Sequence, residues 1–327
     1  MRLSIIEATD LAVRTLTRHG MREHIARMVA DHLVDAALAG HEFSSLARLP
    51  TLVELIRNRP AAGEIRIEHE TQCSAAIDGG DNIAYAVSVI AIDKAIELCH
   101  KSGIAVVTAN NTWFSGRLAY YVERAARQGF IGLHAIHGTA RTAPFGGTEP
   151  LMGTNPYAIA FPSKDDPIVI DMAMSAMTHG GANLAKAKGV PLPPGLAIDK
   201  NGSPTTDPAA ALAGAFLTWG GHRGYALSVA VQLLGLLAGN EVVVKDNSKF
   251  GLFFLVIDPA MLISTEDFKS RVSELRALVA GNRPGRGVEK VRVPGDSSLR
   301  KRNGAAAVSH PIMLDDKIYT RVCELLQ

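Results

Sequence analysis

The chain of 327 residues carries 34 Lys plus Arg against 32 Asp plus Glu, with 47% hydrophobic and 20% charged residues. This balance excludes a disordered chain and a disulfide-stapled miniprotein, and a net charge of +2 supplies no field for binding nucleic acid or an anionic membrane surface. Cys73, Cys99 and Cys323 lie far apart without a CxxC pair, so they read as free thiols of a reducing, cytoplasmic compartment.

Taken in chain order, Ile6 to His19 and Glu23 to Ala39 place apolar residues at helical spacing on either side of Gly20, which predicts a helical hairpin. The N-terminus has Glu7 and Asp10 where a signal peptide would have an apolar core. A second helix is expected from Asp81 to Gly103, then a buried strand Ile104 to Thr108, a helix Ala119 to Gly129 and a strand Phe130 to His134. Tyr157 to Phe161 and Ile168 to Asp171 read as short strands. The apolar stretch Ala226 to Gly239 is interrupted by Gln232 and falls short of the roughly 20 residues that cross a bilayer, so no membrane span is expected. His222 to Gly239 reads instead as an apolar helix, Ala280 to Asn303 as a loop rich in Gly, Pro and Arg, and Asp316 to Leu326 as an amphipathic helix. The length suits about two domains. Residues 1–65 with 300–327 are expected to form a helical one, and residues 66–299 a sheet-based domain that binds cofactor and substrate.

Three segments are poorly explained by packing alone. Arg48, just before Pro50, offers a planar guanidinium that can grip a carboxylate through two parallel hydrogen bonds, although a solvated surface arginine has the same local sequence. Gly146 to Pro156 spends glycines, prolines and Thr154 on a turn that brings backbone close to a ligand, or simply closes a hairpin. Asp171 to Gly181 runs from a strand end into the N-terminus of a helix at His179, where free amides favour an anion; His179 there is a ligand contact or a packed structural histidine. No GxGxxG follows a strand, no GxxxxGK[ST] occurs, and no paired-His spacing suggests a metal site.

Ala143-Pro-Phe-Gly-Gly147, Gly153-Thr-Asn-Pro156, Asp171-Met-Ala173, Pro204-Thr-Thr-Asp-Pro208, Gly220-Gly-His-Arg-Gly-Tyr225 and Arg292-Val-Pro-Gly-Asp296 stand in that order. From about Ala30 to Asn303 the sequence resembles the type-2 malate/L-lactate dehydrogenase family, which includes ureidoglycolate dehydrogenase, sulfolactate dehydrogenase and Δ1-piperideine-2-carboxylate/Δ1-pyrroline-2-carboxylate reductase. The resemblance implies an α/β (α+β) fold of non-Rossmann type with a largely antiparallel mixed sheet, a homodimer, and NAD or NADP as cofactor. It implies cofactor binding by Phe114, Ser115, Gly116, Arg117 and Leu118, by Asp171, Met172 and Ala173, by His222 and Arg223, and by Arg292, Pro294, Gly295 and Asp296. It implies substrate contacts at Arg48, Thr154, His179 and Gly180. Arg292 and Arg223 would suit the 2′-phosphate of NADP, and equally a pyrophosphate.

This chain departs from the family at the acid-base positions. The family's Ser-His-Gly reads Phe43, Ser44 and Ser45 here, its Asn-Ser-x-His-x-Gly reads Asn111-Thr-Trp-Phe-Ser-Gly116, and Gly181 stands where imine reductases carry an acid. Reducing a carbonyl makes an alkoxide that needs a proton, a contribution of roughly 10²–10⁴-fold. A protonated imine already carries its proton. The expectation is therefore reduction of a small carboxylate-bearing 2-imino acid, with a 2-oxo acid or a malate/lactate-type 2-hydroxy acid as the alternative. Ser44 and His179 are the candidate catalytic pair, with His41 and Glu42 as other donors. The same departures also suit a degenerate relative that binds nucleotide without turnover.

Overall fold

The computed structural model describes residues 1–245, 249–307 and 311–327. After β1 (Arg2–Leu3), the chain forms α1 (Ile5–Arg18) and α2 (Glu23–Leu38), then two 3-10 turns, Glu42–Ser44 and Leu46–Arg48, and α3 (Leu49–Arg57). There follow β2 (Arg66–Glu70), β3 (Ser74–Ile83), α4 (Ala84–Ser102), β4 (Ile104–Trp113), α5 (Ala119–Arg127), β5 (Ile131–His137), β6 (Tyr157–Phe161) and β7 (Ile168–Met172). The rest comprises α6 (His179–Lys188), β8 (Ala197–Ile198), β9 (Pro204–Thr205), α7 (Pro208–Ala213), β10 (Ala215–Phe216), α8 (His222–Leu236), β11 (Gly251–Ile257), α9 (Thr265–Ala280), α10 (Asp296–Ala307), β12 (Ile312–Met313) and α11 (Asp316–Glu324).

Ser4 starts α1 with a capping box: its hydroxyl accepts from the Glu7 N–H at 3.2 Å and the Glu7 carboxylate accepts from the Ser4 N–H at 2.8 Å. Such a cap contributes about 1 kcal/mol. Leu11, Leu16, Val29, Leu33, Leu49 and Leu52 then close a helical core over which Ile312, Leu314 and Val322 fold back from the C-terminus. Each large aliphatic side chain buried in this way contributes about 1.5–3 kcal/mol.

The main sheet has the strand order β2-β3-β4-β11-β5-β6-β7, and only the β3–β4 pairing is parallel. The largely antiparallel mixed sheet expected from the resemblance is thus present. Helices α4 and α5 lie against one face and α8 against the other. β11 therefore has no polar side: Leu252, Phe254 and Val256 enter the core with α4 and α5, while Phe253 packs with Ala135, Met174 and Val231 on the α8 side. A small sheet of order β10-β8-β9 carries α6 and α7 beside this body.

Two expectations need correction. The helix expected from Asp81 begins at Ala84, because Asp81 continues β3 through an irregularity: it has φ +55°, follows Gly80 at φ +58°, and the β3–β4 register shifts between Asp78 and Asn82. The loop expected over Ala280 to Asn303 gives way to α10 at Asp296. Long-range contacts impose that helix: Leu299 is 1% exposed, and Arg302 pairs with Asp35 at 2.7 Å and Glu123 at 2.6 Å. Cys73, Cys99 and Cys323 are free thiols.

Candidate active site

Where the helical core meets the sheet, a cavity of about 180 Å³ opens between the 3-10 turns, the segment after β4, the loop after β5 and the N-terminus of α6. Arg48 reaches it because of its neighbours. Leu46 and Leu49 are fully buried in the helical core and anchor the short turn from which Arg48 reaches the cavity. Its guanidinium carbon stands 5.0 Å from the centre of the Phe114 ring, an arrangement that favours a cation. Arg48 is half-buried, and among the described residues its guanidinium has neither a hydrogen-bond acceptor nor a carboxylate partner. Burial pushes its pKa below the usual arginine value, opposed by the nearby Tyr85.

Phe114 holds its place under that cation with φ +53°, a left-handed conformation costly for a residue with a Cβ. Gly116 follows at φ +76°, and a Cβ there would meet His32 Nε2 at 2.5 Å and Tyr85 Cε1 at 2.6 Å, so only glycine permits this close turn. Tyr85 itself is fully buried, its hydroxyl has no partner among the described residues, and burial raises its pKa to about 12.

Thr178 caps α6 by accepting from the Gly181 N–H at 3.1 Å, which sets His179 and Gly180 at the cavity wall. A Cβ on Gly180 would collide with the Nη2 atom of Arg48, so the missing side chain is the space the guanidinium occupies. Gly180→Ala is expected to displace the flexible arginine end rather than unfold α6. Steady-state kinetics should show at least a tenfold loss of kcat/KM with the melting temperature within about 2 °C of the parent, consistent with a lost charge-assisted contact. An unchanged kcat/KM would show that the guanidinium's position is immaterial.

Arg141, which sequence reasoning missed, lines the same cavity. Its N–H donates to the Met152 carbonyl at 2.7 Å and its carbonyl accepts from Phe216 N–H at 2.8 Å, so the backbone is pinned while the side chain enters the cavity. Burial lowers its pKa too. His179 lies within the field of both arginines: burial, then Arg141, then Arg48 hold its pKa down at about 4, so the imidazole is neutral at pH 7. Thr154 lines the same cavity, anchored by its neighbour Asn155, which donates to the Ser228 carbonyl and to Gln232 Oε1, each at 2.9 Å, on α8.

Of the residues singled out from sequence, Ser44, Arg48, Thr154, His179 and Gly180 line this one cavity, as do Phe114, Ser115, Gly116 and Ala173. The others stand outside it. Arg117 is 8% exposed and its side chain pairs with Asp35 at 2.6 Å, in the network that Arg302 joins to Glu123. Leu118 belongs to the main core. Asp171 accepts from the Ala119 N–H at 2.8 Å at the start of α5, and Met172 is exposed beside it. Pro294 accepts from Val169 N–H at 3.4 Å and Gly295, at φ +90°, packs on Val169, so the segment Arg292 to Asp296 lies along β7 next to Asp171. His222 and Arg223 are exposed on the first turn of α8, His222 against Phe145. His41 is bonded to Ser298 Oγ at 2.9 Å and Glu42 pairs with Lys188 at 3.3 Å, so neither alternative donor faces the cavity.

Comparison with known proteins decides the family. A family profile described as malate/L-lactate dehydrogenase matches residues 3–323. The chain belongs to the malate/L-lactate dehydrogenase family. It is 32% identical to an L-sulfolactate dehydrogenase of Methanocaldococcus jannaschii over 96% of this chain and 93% of that protein. The crystal structure of a dehydrogenase from Sinorhizobium meliloti superposes with a TM-score of 0.90 at 30% identity, over 100% of this chain and 98% of that one. Δ1-piperideine-2-carboxylate reductase from Pseudomonas syringae pvar. tomato gives 0.88 at 28% identity, over 99% of each chain. The chain is thus an oxidoreductase, and dehydrogenases of this family work with a nicotinamide dinucleotide, NAD or NADP.

The residues present fit such a group. The cavity opens onto a surface that carries suitable chemistry for the rest of a dinucleotide. Arg292 is exposed without an ion-pair partner among the described residues, one residue before the buried Val293 and just ahead of the N-terminus of α10, where amides and a guanidinium together favour a pyrophosphate. Among the described residues no group of three His, Cys, Asp or Glu side chains could hold a metal ion, and no helix is long and apolar enough to cross a membrane.

Proposed function

We propose that the enzyme interconverts a small 2-oxo acid and its 2-hydroxy acid, with the substrate carboxylate on Arg48. The observation that carries this reading is a half-buried guanidinium with no anion of its own, facing a cavity beside Thr154 and His179. A desolvated, uncompensated cation is costly, and a carboxylate that completes it gains charge-assisted hydrogen bonds. When bound, the nicotinamide supplies or accepts the hydride at C2.

The protein's own part is orientation and proton handling. Arg48 holds the carboxylate, which sets C2 one bond beyond it in the cavity that His179, the residue before Gly180, also lines. In hydroxy-acid oxidation the neutral His179 takes the hydroxyl proton. In the reverse direction it returns that proton, and an anionic substrate that compensates Arg48 and Arg141 relieves the two charges that hold its pKa low. Ser44, 7% exposed and lining the same cavity, is a hydroxyl relay within this arrangement.

A 2-imino acid is the second reading, supported by Ser44 and Phe114 in place of the family's imidazoles. Two guanidiniums in one cavity weigh against it, because a protonated imine brings a third positive charge. We also infer NADP over NAD from the exposed Arg223 and Arg292, and a homodimer from the exposed Leu227, Leu233 and Leu237 of the α8 region, at 48%, 59% and 63%.

The test is purified protein with NADPH or NADH and a panel of 2-oxo and 2-imino acids, following loss of the reduced nicotinamide's absorbance. Turnover of 2-oxo acids is expected, with NADPH preferred. Turnover confined to cyclic imines would reverse the order of the two readings, and dinucleotide binding without any turnover would establish the inert relative.

A further inference from the structure

We infer that Arg141 is a specificity-determining residue that receives a second anionic group at the far end of the substrate, so that the enzyme selects 2-oxo and 2-hydroxy acids with two negative ends. The inference rests on the reading of this cavity as the substrate site and deepens it.

Arg141 and Arg48 come from unrelated parts of the chain, the loop after β5 and the turn before α3, yet both line the same cavity. Both are half-buried. Elsewhere among the described residues, the buried or half-buried arginines are matched: Arg117 has Asp35, Arg302 has Asp35 and Glu123, Arg276 has Asp296, Arg59 has Asp81, Arg124 has Asp93 and Arg22 has Glu64. Among the described residues Arg141 has no carboxylate and no hydrogen-bond acceptor for its side chain. Nor does the cavity wall carry any acidic residue: its polar contributors besides the arginines are hydroxyls, His179 and backbone. A monocarboxylate on Arg48 would leave one desolvated positive charge in a space of about 180 Å³.

A compact acid with anionic groups at both ends removes that imbalance, one group on each guanidinium and C2 between them near His179. Carboxylate and sulfonate share the required chemistry, a compact anion presenting several acceptor oxygens, and the guanidinium serves either. Apolar side chains in the place of Arg141 would instead favour a neutral alkyl end.

The arginine is separable from the fold. Its two fixed hydrogen bonds are made by its backbone, to Met152 and Phe216, so Arg141→Met keeps them and retains most of the stem. The experiment combines kinetics with binding that needs no turnover. Reduction of oxaloacetate, 3-sulfopyruvate, pyruvate and 2-oxobutyrate is measured for the parent and for Arg141→Met. Calorimetry then titrates the same acids into protein saturated with oxidised dinucleotide, a complex in which no hydride is available. The parent is expected to bind and reduce the two doubly charged acids at least 30-fold better than 2-oxobutyrate, and the better of the two identifies the far group as carboxylate or sulfonate. Arg141→Met is expected to lose about a hundredfold in calorimetric affinity for both and, in affinity and kcat/KM alike, to lose their preference over 2-oxobutyrate.

Equal effects of the substitution on all four acids, or on dinucleotide affinity, would overturn the assignment and make Arg141 a cofactor or structural residue. Equal calorimetric affinity of the parent for oxaloacetate and 2-oxobutyrate, or binding of neither, would overturn it as well. The functional reading fails separately, when the diacids bind in an Arg141-dependent way but none is reduced.

Discussion

Arg48→Ala is expected to lower kcat/KM by about 10³-fold, or about 4 kcal/mol, while dinucleotide affinity changes less than about threefold. Three features set the size. The guanidinium is half-buried, so its bond to a carboxylate forms in a medium that screens weakly. It has no competing anion among the described residues, so all of that interaction goes to the ligand. Its position is fixed on both sides, by the Phe114 ring at 5.0 Å and by the bare Cα of Gly180. The same facts predict a second, opposite effect on the free protein. Removing an uncompensated, desolvated charge should leave the unfolding midpoint unchanged or higher, whereas an arginine that merely held the fold together would lower it. Arg48→Lys should recover only part of the activity, because an ammonium cannot make the paired planar contact. Kinetics and denaturant unfolding on the three proteins check this, and a variant that loses stability together with activity would assign Arg48 a structural role.

How much of this was visible in the sequence depends on what each feature is made of. α1 and α2 were legible because one face of each is buried and the other wet, which writes a period of 3.6 into the residues. β11 was not, since Leu252 and Phe253 are both buried, on opposite faces, and a strand covered on both sides has no alternation to read. α10 was hidden behind a glycine and proline-rich approach, and its anchors, Asp35 and Glu123, lie far away in the chain. Arg48, Thr154 and Gly180 were found through local motifs. Arg141 and Tyr85 carry no motif: what marks them is the absence of a partner, which exists only once the chain is folded. Arg117 shows the converse. Its motif suggested cofactor binding, and its side chain lies in the buried ion-pair network that fixes the Phe114 to Leu118 segment from behind.

Acid should unfold this protein cooperatively well above the carboxylate range, because two histidines are folded as neutral groups. His32 and His134 are both 0% exposed. Burial is the largest cause in each case, joined for His32 by Arg117, and holds both pKa values at about 3. Both have structural tasks in the neutral form. His32 Nε2 accepts the Arg117 N–H at 2.9 Å, behind the site, and His134 bonds through Nδ1 to the Phe253 carbonyl at 3.1 Å while stacking on Phe254. In the unfolded chain each titrates near 6.5. The unfolded state therefore binds more protons between pH 6.5 and 3. Stability is full above 6.5 and is lost as the pH falls through that window, by about 1.4 kcal/mol per pH unit for each histidine. At pH 4.5 the pair costs about 5 kcal/mol, comparable with the whole stability of an ordinary domain. With His179, held at about 4 in the site, as a third such group, stability measured by denaturant unfolding from pH 7.5 to 4.5 should fall with a slope that approaches three protons. In His134→Phe, which keeps an aromatic ring on Phe254, that slope should drop by about one even though the bond to Phe253 is lost. Midpoints that stay level from pH 7 to 5 would mean that these imidazoles take up protons inside the fold.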